Sequence, residues 1–329
     1  MNLNRKKGSY LILSILLLFA SIETIYSWGF FAHKQINRLA VFTLPDGMIN
    51  YYKVNIEYIT ENAVSPDKRR YAVKEEGARH YIDIDHYGES PFDSMPRNWK
   101  DAVKKYSEDT LQAYGIVPWH IEKMTQRLEV AFREGNLNSI LRLSADLGHY
   151  IGDAHVPLHT TLNYNGHLTN QKGIHGFWET RLPELFSDEY DFFVGRAKYI
   201  EKPLETAWDI VENSFKAKDS VLLFEAAMNN SFSPDKKYSH VERGQSFIKN
   251  YSKEYSREYH EKLNGMVERR MRASVFMTGC FWYTAWVNAG KPNLDKLIDK
   301  EISAQLKAKL KEEEKMWRTG KIKGREHND

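Results

Sequence analysis

Apolar residues recur at spacings of three and four along most of this chain, a period that predicts helices. From Phe31 to Leu44, the side chains of Ile36, Leu39, Ala40 and Thr43 fall on one face. Leu137 to Ala154 repeats the pattern through Ile140, Leu141, Ser144, Leu147 and Ile151, while Ala145, Gly148 and Gly152 are small enough to admit another backbone. Pro157 ends that helix, because proline lacks the amide donor and clashes with the preceding turn. Glu268 to Ala289 reads as a long core helix rich in aromatics, among them Phe276, Phe281, Trp282 and Trp286. Strand signals are sparse: Tyr81 to Asp85 alternates, but only briefly. With no internal repeat and no glycine-rich phosphate loop, the expected fold class is all-α.

The ends of the chain have their own character. Lys6 and Lys7 precede an apolar run from Leu11 to Ala20, and Ser27 is a small residue suited to a cleavage point, so residues 1–27 read as a signal peptide. The run is short of the ~20 residues that span a bilayer comfortably. Export follows, to the periplasm or the medium. Residues 28–292 then form the main domain, with an insertion expected around 188–264, where Asn229, Asn230 and the stretch Ser231 to Asp235 break the helical pattern. Residues 293–329 read as a charged amphipathic helix carrying Leu294, Leu297, Ile298, Ile302, Leu306 and Leu310. Its Lys/Glu face is most simply solvated, and peripheral contact with a membrane surface is the alternative.

Composition narrows the choices. A net charge of +3 gives no reason by itself to expect a polyanionic partner, and no obligate protein partner is indicated. Cys280 is the only cysteine, so an exported chain folds without an internal disulfide; its apolar surroundings suit a buried small side chain rather than a nucleophile. Bound metal is a candidate for the missing stabilisation.

The chemistry gathers between His149 and Glu179. His149 and Asp153 stand four apart on one helix face, His159 follows beyond the Pro157 break, and His175 and Glu179 form a second such pair. One i,i+4 pair is common surface decoration. Two pairs and a further histidine so close together suit Zn²⁺, which takes imidazole and carboxylate ligands. His33 lies upstream in Trp28-Gly-Phe-Phe-Ala-His33, and a cut before Trp28 would free an α-amino group able to bind metal. Asp67 and His80, taken singly, read as a turn residue and a solvated histidine. His155, two after Asp153, points away from the ligand face and reads as core or as support for the ligands.

As a set, from Trp28 through the His-x-x-x-Asp and Pro-Leu-His motifs to Glu179, these residues resemble the zinc-dependent phospholipase C and single-strand-specific nuclease superfamily. The resemblance implies an all-α phosphodiesterase with three zinc ions. Asp67, His80, His149 and Asp153 would hold one; His159, His175 and Glu179 a second; the amine and carbonyl of Trp28, with His33 and a bridging Asp153, the third. A zinc with three protein ligands keeps a position open, the mark of a catalytic site. Clustered zincs acidify water and clamp the oxygens of an in-line attack on phosphorus, so no side-chain nucleophile is needed. Asp67 would both bind metal and orient the attacking water, and Arg70 would bind phosphate through its guanidinium fork.

The resemblance implies a phosphodiester substrate, either a phospholipid headgroup or single-stranded nucleic acid. Glu179, where the nucleases tend to have Asp, and the short gap from His159 to His175 favour the lipase branch. Arg70 and Asp83 match the phosphate-binding and base-pocket positions of the nucleases. Tyr81, Tyr164, Phe177 and Trp178 would stack on bases, line an acyl pocket or belong to the core. Asn163, Asn165, His167 and Asn170 are candidate substrate contacts on the loop before His175. A zinc-binding exported protein without turnover is the remaining reading.

Overall fold

A computed structural model describes residues 29–243 and 246–323. The signal peptide expected at 1–27 and the ligand expected at Trp28 lie outside the described residues. The fold is all-α apart from one small hairpin.

Three helices frame the site. The first, Phe30–Ala40, buries Ala32, His33, Ile36, Asn37 and Ala40. The second, Leu137–Ala154, is capped by Asn136, whose side chain accepts the Ser139 amide at 3.1 Å. It is buried on every side from Ser144 to Ala154. The third, Met266–Asn288, packs against both of them and places Trp282 so that its indole donates to the Ser144 carbonyl at 3.0 Å. The glycines explain the close approach of the first two. A Cβ on Gly148 would come within 2.0 Å of Asn37 Oδ1, and one on Gly152 within 3.1 Å of His33 Nδ1. Glycine there lets the first helix press His33 against the ligand helix.

Two apolar clusters meet around this frame. One gathers Tyr52, Phe132, Ile151, Trp208 and Trp282; the other gathers Ile36, Leu158, Phe177, Trp178 and Tyr259. The stretch read as an insertion is woven into both. Its long helix Pro203–Ser231 gives Trp208 and Val211 to the first cluster and Val221 and Met228 to the second. Beyond it, Tyr238–Arg243 and Ser246–Tyr251 pair antiparallel, with Tyr238 opposite Tyr251. Helix Lys253–Lys262 then adds Tyr255 and Tyr259 to the second cluster.

The tail departs from its expected form. Leu294 and Leu297 are buried around the short turn Asp295–Leu297, and the helix proper is Ala304–Thr319, opened by Ser303, whose hydroxyl accepts the Leu306 amide at 3.2 Å. Its charged face is not simply solvated. Glu314 pairs with Lys68 at 2.5 Å, buried Glu313 lies 3.5 Å from Arg142, and the Trp317 ring packs 5.5 Å from that of Phe30. The helix therefore straps the short helix Ser65–Arg69, which carries Asp67, against the start of the described chain.

Candidate metal centre

Six separate segments deliver the eight donors, His33 coming from the helix Phe30–Ala40. His149 and Asp153 come from one buried helix face, as their spacing requires. Asp67 sits in the short helix Ser65–Arg69, and His80 follows the turn Lys74–Arg79. His159 lies in the turn Pro157–Thr160, which the Pro157 break creates. His175 and Glu179 ride on a helical run that widens to a π-turn over Phe177–Arg181. Pro183 accounts for the widening: it has no amide to give the Glu179 carbonyl, so the turn before it cannot close with α geometry.

The donor atoms converge with the spacing of a coordination shell. Ligands 2.0–2.1 Å from a tetrahedral zinc lie roughly 3.3 Å from one another. His159 Nε2, His175 Nε2 and Glu179 form a triangle with edges of 3.2, 3.0 and 3.3 Å. In the second group, His80 Nδ1, His149 Nε2 and Asp153 Oδ2 are 3.0, 2.9 and 3.1 Å apart, and Asp67 Oδ1 lies 3.7 Å from both nitrogens. The third group joins His33, Asp67 and His149, with His33 Nε2 also 3.4 Å from Asp153 Oδ1. All eight side chains are buried.

Backbone carbonyls aim the imidazoles. His149 Nδ1 meets the Ala63 carbonyl at 2.8 Å, His159 Nδ1 the His80 carbonyl at 2.7 Å, and His175 Nδ1 the Tyr164 carbonyl at 3.1 Å. Each carbonyl accepts the Nδ1 proton, which leaves the Nε2 lone pair turned to the centre. Asn165 supports the third of these, its side-chain oxygen accepting the amides of Gly173 at 3.0 Å and His175 at 3.3 Å. Behind His80 stands buried Glu76, 3.9 Å from its Nε2 and held by Arg69, Arg79 and the Tyr150 hydroxyl. The sequence reading missed this support; a charged run and a lone tyrosine give it no pattern.

Electrostatics call for a cation. Burial pushes the Asp67 carboxyl up to about 6. Burial holds His33 down to about 4 and His80 down to about 3, the neutral forms a metal requires. Burial opposes charge on His149 too, but Asp153 and then Asp67 lift it to about 9, so a proton stands in there for positive charge. Neither Asp67 oxygen accepts a hydrogen bond from the described residues. Two buried carboxylate oxygens without donors, among imidazoles at coordination spacing, fit zinc.

Other expected residues fare differently. Arg70 is buried and close enough to Asp67 to favour its charged form. Asp83 is buried, its amide bonded to the Tyr114 carbonyl at 2.7 Å. Asn163 is spent on its own loop: Nδ2 donates to Thr169 Oγ1 at 3.0 Å and Oδ1 accepts the Leu168 amide at 2.8 Å. Asn170 is exposed in a left-handed turn at φ 57°, which asparagine tolerates. Tyr81, Phe177 and Trp178 are core rather than stacking platforms, and Tyr164 is half-buried. His155 is buried, with Nδ1 at 2.8 Å from the Ile151 carbonyl, and Cys280 is buried.

A family model for zinc dependent phospholipase C matches residues 32–238, well over half of the chain and all eight donors from His33 to Glu179. The chain belongs to the zinc dependent phospholipase C family, whose members are zinc-dependent hydrolases of phosphoric esters. No curated protein matches it. The C-terminal helix lies beyond the matched segment.

Proposed function

We propose that this protein is an exported phospholipase C-like phosphodiesterase, in which water cleaves a phospholipid into a diacylglycerol and a phosphorylated headgroup. The observation that favours lipid over nucleic acid is the pair of exposed aliphatic side chains on and beside the loop that leads to His175. Phe177 and Trp178, candidates either for stacking on bases or for lining an acyl pocket, are taken up by the core. The loop that holds His175 instead presents Leu168, 68% exposed. Gln171 ties that loop to the Leu222 carbonyl at 2.8 Å, next to Leu223, 65% exposed. Exposed aliphatic side chains beside that loop suit acyl chains, whereas nucleic acid wants aromatic platforms beside a basic groove.

The eight donors would hold three zinc ions, with the terminal amine of Trp28 completing the third set once the leader is removed. Anchoring of the neighbouring residue supports this: the Gly29 amide donates to Thr180 Oγ1 at 3.2 Å, one residue past Glu179. When bound, zinc lowers the pKa of water and offsets charge on the phosphoryl group. The protein's own part is to orient and to move protons. Asp67, with oxygens that take no hydrogen bond from the described residues, is the group to align the attacking water and accept its proton. Arg70, beside it, is the cation to draw in the phosphate.

A second reading, a single-strand-specific endonuclease or 3'-nucleotidase, is favoured by the placement of Arg70 beside Asp67. Assay of the processed, zinc-loaded protein on phosphatidylcholine, single-stranded DNA and RNA separates the two. Phosphocholine release that stops on chelation and returns with zinc is the expected result. Cleavage of DNA or RNA with phosphatidylcholine untouched would reject the lipid assignment.

A further inference from the structure

A cleft of roughly 660 Å³ opens between helices Val117–Glu134 and Leu137–Ala154. Lys309, from the C-terminal helix, closes one side of it. Its lining is strongly cationic. Lys123, Arg127 and Lys309 are exposed there and make no ion pair among the described residues. Arg69, Arg79 and Arg142 line the same space but are engaged by carboxylates. Of the two lining carboxylates, Asp146 is 2.9 Å from Arg69 and Glu134 is the other. Glu122, in the pocket adjoining Lys123 and Arg127, and Glu313, near Lys309, lie outside the lining and make no ion pair with these three cations among the described residues. His120, nine-tenths buried, also lines the cleft, and its Nε2 has no hydrogen-bond partner among the described residues. Three like charges converging on one concavity repel one another, a cost that a bound anion removes.

The cleft is separate from the metal centre yet touches its support. Arg69, Arg79 and Tyr150 face the cleft and also hold Glu76, which in turn lies 3.9 Å from His80 Nε2. An anion drawing on either arginine competes with Glu76 for it. No residue that lines the cleft is among the eight donors.

We propose that this cleft is a second, non-catalytic anion site for a ligand bearing a phosphate monoester, linked to the metal centre through Arg69, Arg79 and Glu76. The phosphate comes either from a free phosphorylated molecule or from an anionic lipid headgroup. Multiple lysine and arginine contacts suit a dianion better than the singly charged diester on which the catalytic centre acts.

The test is calorimetric titration of inorganic phosphate into the zinc-loaded protein at constant ionic strength. Three proteins are compared: the wild type, a Lys123→Ala/Arg127→Ala/Lys309→Ala variant, and His175→Ala. The site predicts a phosphate-binding step that weakens at least tenfold in the triple variant and persists in His175→Ala. The triple variant, altered only on the surface, should hydrolyse bis(p-nitrophenyl) phosphate at the wild-type rate when phosphate is absent. Sedimentation with phosphatidic acid vesicles, lost in the triple variant, identifies a headgroup as the source; phosphate binding without sedimentation identifies a free ligand. Wild-type phosphate affinity in the triple variant would overturn the proposal. So would loss of all phosphate binding in His175→Ala, which would put every phosphate at the metal centre.

Discussion

Asp153 carries more of the centre than His175 does. Its Oδ2 lies 2.9 Å from His80 Nδ1, while its Oδ1 is turned to His33 Nε2 at 3.4 Å, so one carboxylate serves two donor sets. His175, by contrast, serves one. Asp153→Asn keeps the shape but removes the charge, and is expected to cost the protein more zinc than His175→Ala. Zinc content after gel filtration, read by atomic absorption, checks this; an equal or smaller loss would show that Asp153 does not bridge. The pairs His149/Asp153 and His175/Glu179 were legible in the sequence because a helix converts a spacing of four into one face. Asp67 and His80 were not, because short turns carry them and no period marks a turn. Only resemblance to a family joined them to the set.

Among the elements, the C-terminal helix has the least expected role. Lys68 is held by Glu314 and lies over the rings of Trp317, at 5.0 Å, and Phe30, at 5.6 Å. The Lys323 amide adds a bond to the Arg70 carbonyl at 2.9 Å. The strap thus grips the residues that follow Asp67. Reversing one charge, Lys68→Glu, should weaken zinc binding at the Asp67 set several-fold, and adding Glu314→Lys should restore it. Competitive titration against a chromophoric chelator reads both; failure of the double variant to recover would show the pair does not position Asp67. Two long helices were legible nearly to the residue: Leu137–Ala154 as expected, and Met266–Asn288 where Glu268 to Ala289 was expected; Val117–Glu134 and Pro203–Ser231 were not read from the sequence. The strap was misplaced because Leu294 and Leu297 share its spacing but anchor a separate turn. The hairpin was missed because each face mixes polar and apolar residues: Tyr238, His240 and Glu242 stand opposite Tyr251, Lys249 and Phe247. Such strands show no clean alternation.

At the scale of the whole molecule, buried neutral histidines tie stability to pH. Burial first, then the nearby Arg79, holds His120 well below its usual value. The unfolded chain therefore takes up a proton near pH 6.5 that the folded chain refuses, so unfolding binds protons and stability falls as pH drops below that value. The loss from such a group is about 1.4 kcal/mol for each pH unit. His120→Gln should flatten the fall in melting temperature between pH 6.5 and 5; an unchanged slope would show that His120 is not the group responsible. The two apolar clusters, spanned by helix Pro203–Ser231, were only partly legible, since a periodic stretch does not say which neighbour it packs against.

The central claim is that eight side chains from distant parts of the sequence converge as zinc ligands. Anomalous diffraction at the zinc edge, from crystals of the processed, zinc-loaded protein, tests it most directly. The account predicts anomalous peaks within coordination distance of His159, His175 and Glu179, and of Asp67, His80, His149 and Asp153. A further peak is predicted beside His33. Bound zinc found only elsewhere on the molecule, with these donors empty, would contradict it.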